Sequence, residues 1–203
     1  FYFYHLERYI NQERMYENMI QLYQKITQFR VLKLFLENPY SGYYLRESAR
    51  ILKMDPMTVK RAIVLFVEDE LLTVLEEKNI ILYKANMETP AFRHLKISYN
   101  LSWLQEKKVI DFLTNQMSTI TSIILFGSFA KGENDEESDV DILTISLAKN
   151  KPTAELAKLL NRDVNLVNFT SAQWSDQAKK NRVFYLDVIL DGIVLYGTKP
   201  VMA

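Results

Sequence analysis

Ile123-Ile124-Leu125-Phe126-Gly127-Ser128-Phe129-Ala130-Lys131-Gly132-Glu133, and after it Asp139-Val140-Asp141-Ile142-Leu143, form the stretch on which the reading of this 203-residue chain turns. An apolar run goes straight into Gly-Ser, ten residues follow, and a second apolar segment carries Asp at alternate positions. A strand, a tight turn and a second strand are the simplest expectation. Strand side chains alternate faces, so Asp139 and Asp141 should project from one side while Val140 and Ile142 enter the core. Carboxylates so placed can share a hard divalent cation through oxygen, as Mg²⁺ requires when it bridges nucleotide phosphates. Gly127 lets a phosphate approach the backbone, and Ser128 adds a hydroxyl. A short helix beginning there would offer free amides to the same phosphate. Residues 131–141 hold six acids and one lysine. An acidic stretch alone is a solvated loop, whereas an Asp-x-Asp borne on a strand just after such a turn is much rarer.

The stretch resembles the signature of the nucleotidyltransferase superfamily that includes DNA polymerase beta: Gly-Ser, a spacer, then Asp-apolar-Asp-apolar. Leu125 to Glu133, with Ser138 before the first Asp, is similar to the minimal nucleotidyltransferases of bacteria and archaea. Asp191-Gly192-Ile193-Val194-Leu195-Tyr196-Gly197 resembles that group's closing segment, so the resemblance spans residues 101–197. It implies Mg²⁺-dependent transfer of a nucleoside monophosphate from an NTP, with ATP the expected one, and release of pyrophosphate. By position it implies that Gly127, Ser128 and Lys131 hold the nucleotide. Asp139 and Asp141 would hold metal, and Asp139, Asp141 and Asp163 would be the catalytic carboxylates. For Lys131, as for Lys179, Lys180 and Arg182, a solvated role is an equal alternative. The superfamily's third carboxylate lies in an apolar-Asp-apolar-apolar segment. In Arg162-Asp163-Val164-Asn165-Leu166-Val167, Asn165 takes that place. Asp163 lies two residues earlier on the same face, about 6.6 Å away at about 3.3 Å per residue, and serves only through a shifted register. The departure bears on catalysis and leaves the fold expectation intact.

Outward from this stretch, residues 4–28 carry no Gly or Pro, and Leu6, Tyr9, Ile10, Tyr16, Met19, Ile20, Tyr23 and Ile26 recur at helical spacing. This predicts an amphipathic helix that is either a dimerisation surface or a cover for its own domain. From Thr27 the pattern gives a helix through Leu36, a turn at Asn38 to Gly42 and a short helix from Leu45 to Leu52. Asp55-Pro56 reads as N-cap and first helical residue of a third helix, because Asp accepts an orphan amide and proline has none to lose. Leu71 to Glu76 and Ile80 to Lys84 then read as a hairpin. Helix, helix, turn, helix, hairpin resembles a winged helix-turn-helix, and implies DNA contacts from Arg46, Thr58, Lys60 and Arg61. Arg46, Arg50, Lys53, Lys60 and Arg61 outnumber Glu47 and Asp55 between Tyr40 and Val64, which suits phosphate. Glu68, Asp69, Glu70, Glu76 and Glu77 oppose it, and a protein-contact role stands beside DNA binding.

The expected architecture is α+β. An N-terminal amphipathic helix spans 1–26, a winged helix-turn-helix domain 27–88, a linker 89–100, and a minimal nucleotidyltransferase domain 101–203, with a short mixed sheet flanked by helices. Lys and Arg total 25 and Asp and Glu total 25, so no global field gathers nucleic acid or an anionic membrane. The absence of cysteine excludes disulfides and thiolate zinc. His5 and His94 are too few for a histidine cage and read as surface or packing residues; Trp103 and Trp174 read as packing. No apolar run approaches a membrane span and no signal peptide is visible, so a cytoplasmic location without membrane contact is the default. Only 36 residues follow Val167, too few for an appended acceptor domain. The acceptor site must then come from the winged helix or from a protein partner, as in minimal nucleotidyltransferases that act as antitoxins by adenylylating a toxin. The rivals are a DNA-binding regulator with a weak or silent transferase domain, and a nucleotide-independent dimeric scaffold.

Overall fold

The apolar spacing after Thr27 forms helix α1 (Thr27–Glu37), which buries Val31, Leu32, Leu34, Phe35 and Leu36. A computed structural model describes residues 20–77 and 80–201. The chain divides into two units, Phe1–Glu106 and Lys107–Ala203. Strand β1 (Tyr43–Tyr44) and helix α2 (Leu45–Leu52) follow α1. Helix α3 (Pro56–Glu68) starts as its sequence requires: Asp55 Oδ2 accepts the amides of Met57 and Thr58, each at 3.0 Å, with Pro56 in the first turn. Its buried residues, Val59, Ala62, Ile63 and Phe66, recur every three or four positions and face the core. Strands β2 (Leu72–Glu77) and β3 (Ile80–Ala85) pair antiparallel, and β1 adds to β3, giving the order β1-β3-β2.

One expectation for the first unit is corrected. The helical linker expected at residues 89–100 is part of the first unit, as helix α4 (Pro90–Glu106). Its Phe92 and Tyr99 join the first unit's core. The buried Lys96 ammonium donates to the Leu36 carbonyl, one of the acceptors left open where α1 ends, and the Tyr99 hydroxyl donates to Glu37 Oε1 at 2.6 Å. These bonds tie α4 to α1 and carry the unit boundary to Glu106, six residues beyond the expected one. Residues 20–25 are helical, but Ile26 has extended backbone (φ −83°, ψ 125°) and separates them from α1. Ile20 and Tyr23 lie in the first unit's core; the expected helix before residue 20 lies outside the described residues.

The second unit comprises α5 (Val109–Gln116), β4 (Ser122–Phe126), α6 (Gly127–Lys131), β5 (Val140–Ile145), α7 (Thr153–Leu160), β6 (Val164–Phe169), α8 (Ser171–Lys180), α9 (Arg182–Leu190) and β7 (Ile193–Gly197). Its sheet has the order β6-β5-β4-β7, with β5 and β6 parallel and the other pairs antiparallel. The α+β class with a short mixed sheet is as expected. The chain leaves β4 directly into the single helical turn α6, which begins at Gly127. All of β4 is buried, which explains its unbroken apolar run. Trp174, Tyr185 and Val188 from α8 and α9 pack on Ile124, Phe126, Leu143 and Ile145. Trp174 is a packing residue, and its Nε1–H donates to the Pro200 carbonyl at 2.8 Å. No helix among the described residues is long and apolar enough to cross a membrane. Replacing Trp174 with Ala should lower stability by about 3–5 kcal/mol, and Trp174→Phe by clearly less; urea denaturation followed by circular dichroism measures both.

Candidate active site

Register sets the centre of the site. Phe126 of β4 faces Asp141 in the antiparallel pairing, and Asn165 of β6 faces Asp141 in the parallel one. Asn165 Nδ2 donates to Asp141 Oδ1 at 2.9 Å. On the other side, a Cβ on Gly127 would lie 2.2 Å from Asp141 Oδ2, and Gly127 has φ +67°. Only glycine satisfies both the backbone and the close approach. Burial pushes the Asp141 carboxyl above the usual carboxylate range; the charges of Asp139 and Asp187 push the same way, and the Asn165 hydrogen bond opposes them. Asp139 is exposed one residue before β5, where the Val140 amide donates to the Asp163 carbonyl at 2.9 Å.

The acidic segment between α6 and β5 is held from within and from outside. The Ser138 hydroxyl donates to Asp135 Oδ1 at 2.7 Å and accepts the Asp135 amide at 2.9 Å. The Ser138 hydroxyl and the Glu137 amide hold the Asp135 carboxyl below its usual range. Arg162, just ahead of β6, donates from Nη1 to the carbonyls of both Asp135 and Ser138 at 2.8 Å. Its guanidinium lies 5.4 Å from the centre of the Phe129 ring. One side chain thus ties the approach to Asp139 to β6 and to α6. Sequence reasoning missed this role; the only local signal was an arginine directly before a strand.

Three expected site residues stand differently from the reading of the sequence. Lys131 donates to Asp187 Oδ1 at 2.6 Å and lies 3.3 Å from Asp191 Oδ2. The Asp187 bond, aided by Asp191, raises the Lys131 pKa, and its ammonium is paired with the α9 end. Asp163 is exposed ahead of β6 while the parallel register delivers Asn165 to Asp141. Among the described residues no three His, Cys, Asp or Glu side chains gather as metal ligands. Thr58 turns its hydroxyl toward the capping carboxylate of Asp55, 3.4 Å away, while Arg46, Lys60 and Arg61 are exposed. Ser128 lies beside Gly127 in α6, and its carbonyl accepts the Gly132 and Glu133 amides. Lys180 pairs with Asp176 at 3.0 Å.

The donor set fits a hard cation. Asp139 and Asp141 supply oxygen ligands, and the missing side chain at Gly127 leaves room against Asp141 Oδ2. Mg²⁺ is commonly held by one or two carboxylates, with substrate phosphates and water completing the shell, so two carboxylates suffice for binding.

The sequence profile described as "Polymerase beta, Nucleotidyltransferase" matches residues 107–200. The protein adenylyltransferase MntA of Shewanella oneidensis is 30% identical over 102 residues, covering 47% of this chain and 68% of that protein. The Methanocaldococcus jannaschii protein MJ0604 is 33% identical over 100 residues, covering 46% of this chain and all of that protein. A crystal structure of a toxin-antitoxin with AMP-PNP is 25% identical, covering 46% of this chain and 74% of its own, with a TM-score of 0.36.

Two outcomes follow from the Asp141 environment. Gly127→Ala should destabilise the protein by more than about 1 kcal/mol, through positive φ and the clash with Asp141, as read by thermal denaturation. In metal-free protein the raised Asp141 pKa disfavours folding once the carboxyl is ionised. That penalty is complete above the folded-state pKa and vanishes below the unfolded carboxylate range. Asp141→Asn should therefore raise the melting temperature at neutral pH and lose that advantage in acid, as a melting series in chelator would record.

Proposed function

The chain belongs to the polymerase beta nucleotidyltransferase family, and from that premise we propose that it transfers AMP from Mg²⁺-ATP to a side-chain hydroxyl of a protein partner. The observation that carries the reading is the Asp141 carboxylate, fixed between Gly127 and the Asn165 amide on the edge that also bears Asp139. Asp139 and Asp141 would hold the metal. When bound, Mg²⁺ offsets triphosphate charge and favours ionisation of the attacking hydroxyl. Gly127 would leave the backbone open to phosphate, and the Ser128 hydroxyl would donate to it. The Asn165 amide orients Asp141 but adds no negative charge, so transfer is slow relative to a site with a third carboxylate while nucleotide binding persists.

A protein acceptor has two supports. The name of the Shewanella relative specifies protein adenylylation, and the exposed Glu133, Glu136, Glu137 and Asp139 beside the site would repel a polynucleotide. The partner would be a toxin if this chain acts as an antitoxin. A second reading is favoured by the order of elements from α1 to β3. Helix, strand, helix, capped helix and hairpin support a winged helix-turn-helix, whose exposed Arg46, Lys60 and Arg61 would serve a DNA-binding regulator with a silent transferase domain.

Labelled ATP and Mg²⁺ in a lysate of the native host separate the readings. A labelled protein is expected, lost with Asp139→Asn or Asp141→Asn, strengthened about tenfold or more by Asn165→Asp, and unaffected by Asp163→Asn. Labelled RNA would overturn the protein-acceptor reading. No label from wild type or Asn165→Asp would favour the regulator.

A further inference from the structure

Helix α3 buries one face and leaves another without cover. Met57, Val64 and Leu65 are 56%, 42% and 42% exposed, and Arg61 and Glu68 are exposed with them. Met57, Arg61, Val64 and Glu68 follow one another at spacings of four, three and four, which places them in one stripe along the helix. Leu65 borders that stripe at its middle. Arg61 and Glu68 are seven residues apart, about 10.5 Å along the axis at about 1.5 Å per residue, too far to pair within one helix. Among the described residues neither has an ion-pair partner.

We propose that this face binds the same face of a second copy of the chain, α3 antiparallel to α3 about a two-fold axis passing between Val64 and Leu65. That axis brings Val64 against Leu65 of the second copy. It also brings Arg61 against Glu68 of the second copy, and by symmetry Glu68 against Arg61, so both orphan charges are satisfied twice over. The stripe is therefore self-complementary, as an isologous contact demands. A duplex is the poorer occupant: Glu68, Asp69 and Glu70 stand at the end of the helix where phosphates would run, and apolar residues flank Arg61 on both sides.

Sedimentation equilibrium on the full chain tests this. Wild type should dimerise. Arg61→Glu and Glu68→Arg should each raise the dimer dissociation constant about tenfold, since each reversal sets like charges together at two places. The double variant Arg61→Glu with Glu68→Arg should return to within about threefold of wild type, a rescue that a folding defect would not give. A monomeric wild type, a mass insensitive to either reversal, or a double variant that stays dissociated would overturn the proposal. So would Arg61→Glu that leaves the mass unchanged and abolishes retention of duplex DNA, which would assign the face to nucleic acid.

Discussion

The second unit is organised around one carboxylate. Asp141 is held half-buried between a backbone position that admits no side chain and an amide that donates to it. Desolvation makes its charge unfavourable in the empty protein, and Asp139 and Asp187 make it more so. Such a group is poised for a cation, because the charge that costs stability without metal becomes the basis of binding with it. The buried β4, the single turn α6 and the parallel β6 are the elements that bring Gly127, Asp141 and Asn165 together.

Two basic side chains hold this arrangement, and both act at long range in sequence. Arg162 fastens the acidic segment ahead of Asp139 to the start of β6. Lys131 fastens α6 to the end of α9 through Asp187 and Asp191. They fasten the two ends of the segment that joins α6 to β5 and limit the freedom of the Gly127 turn, so the site is pre-positioned before anything binds. Glu136, Glu137 and Asp139 stay exposed beside the site.

What could be read from the sequence was what local chemistry decides. The apolar run into Gly127, the alternate Asp residues and Asp55-Pro56 each carry their meaning within a few residues, and the register duly sets Asn165 opposite Asp141. What could not be read depends on distant partners. The engagement of Lys131 requires Asp187, 56 positions later. The extension of α4 to Glu106 requires Phe92, Lys96 and Tyr99 to find the first unit's core and the end of α1. Thr58 resembles a base-contacting residue by position, yet its hydroxyl lies against the cap that starts its own helix. Asp163 stands one residue ahead of β6, as Asp139 does ahead of β5.

The central claim is that Asp141, with Asp139, holds the metal that accompanies the nucleotide. Calorimetric titration of ATP into wild type and Asp141→Asn, each with Mg²⁺ and with chelator, addresses it directly. The account predicts that wild-type binding requires Mg²⁺ and that Asp141→Asn loses at least tenfold in affinity while remaining folded. Equal affinity of the two proteins for Mg²⁺-ATP, or wild-type binding indifferent to chelator, would contradict it.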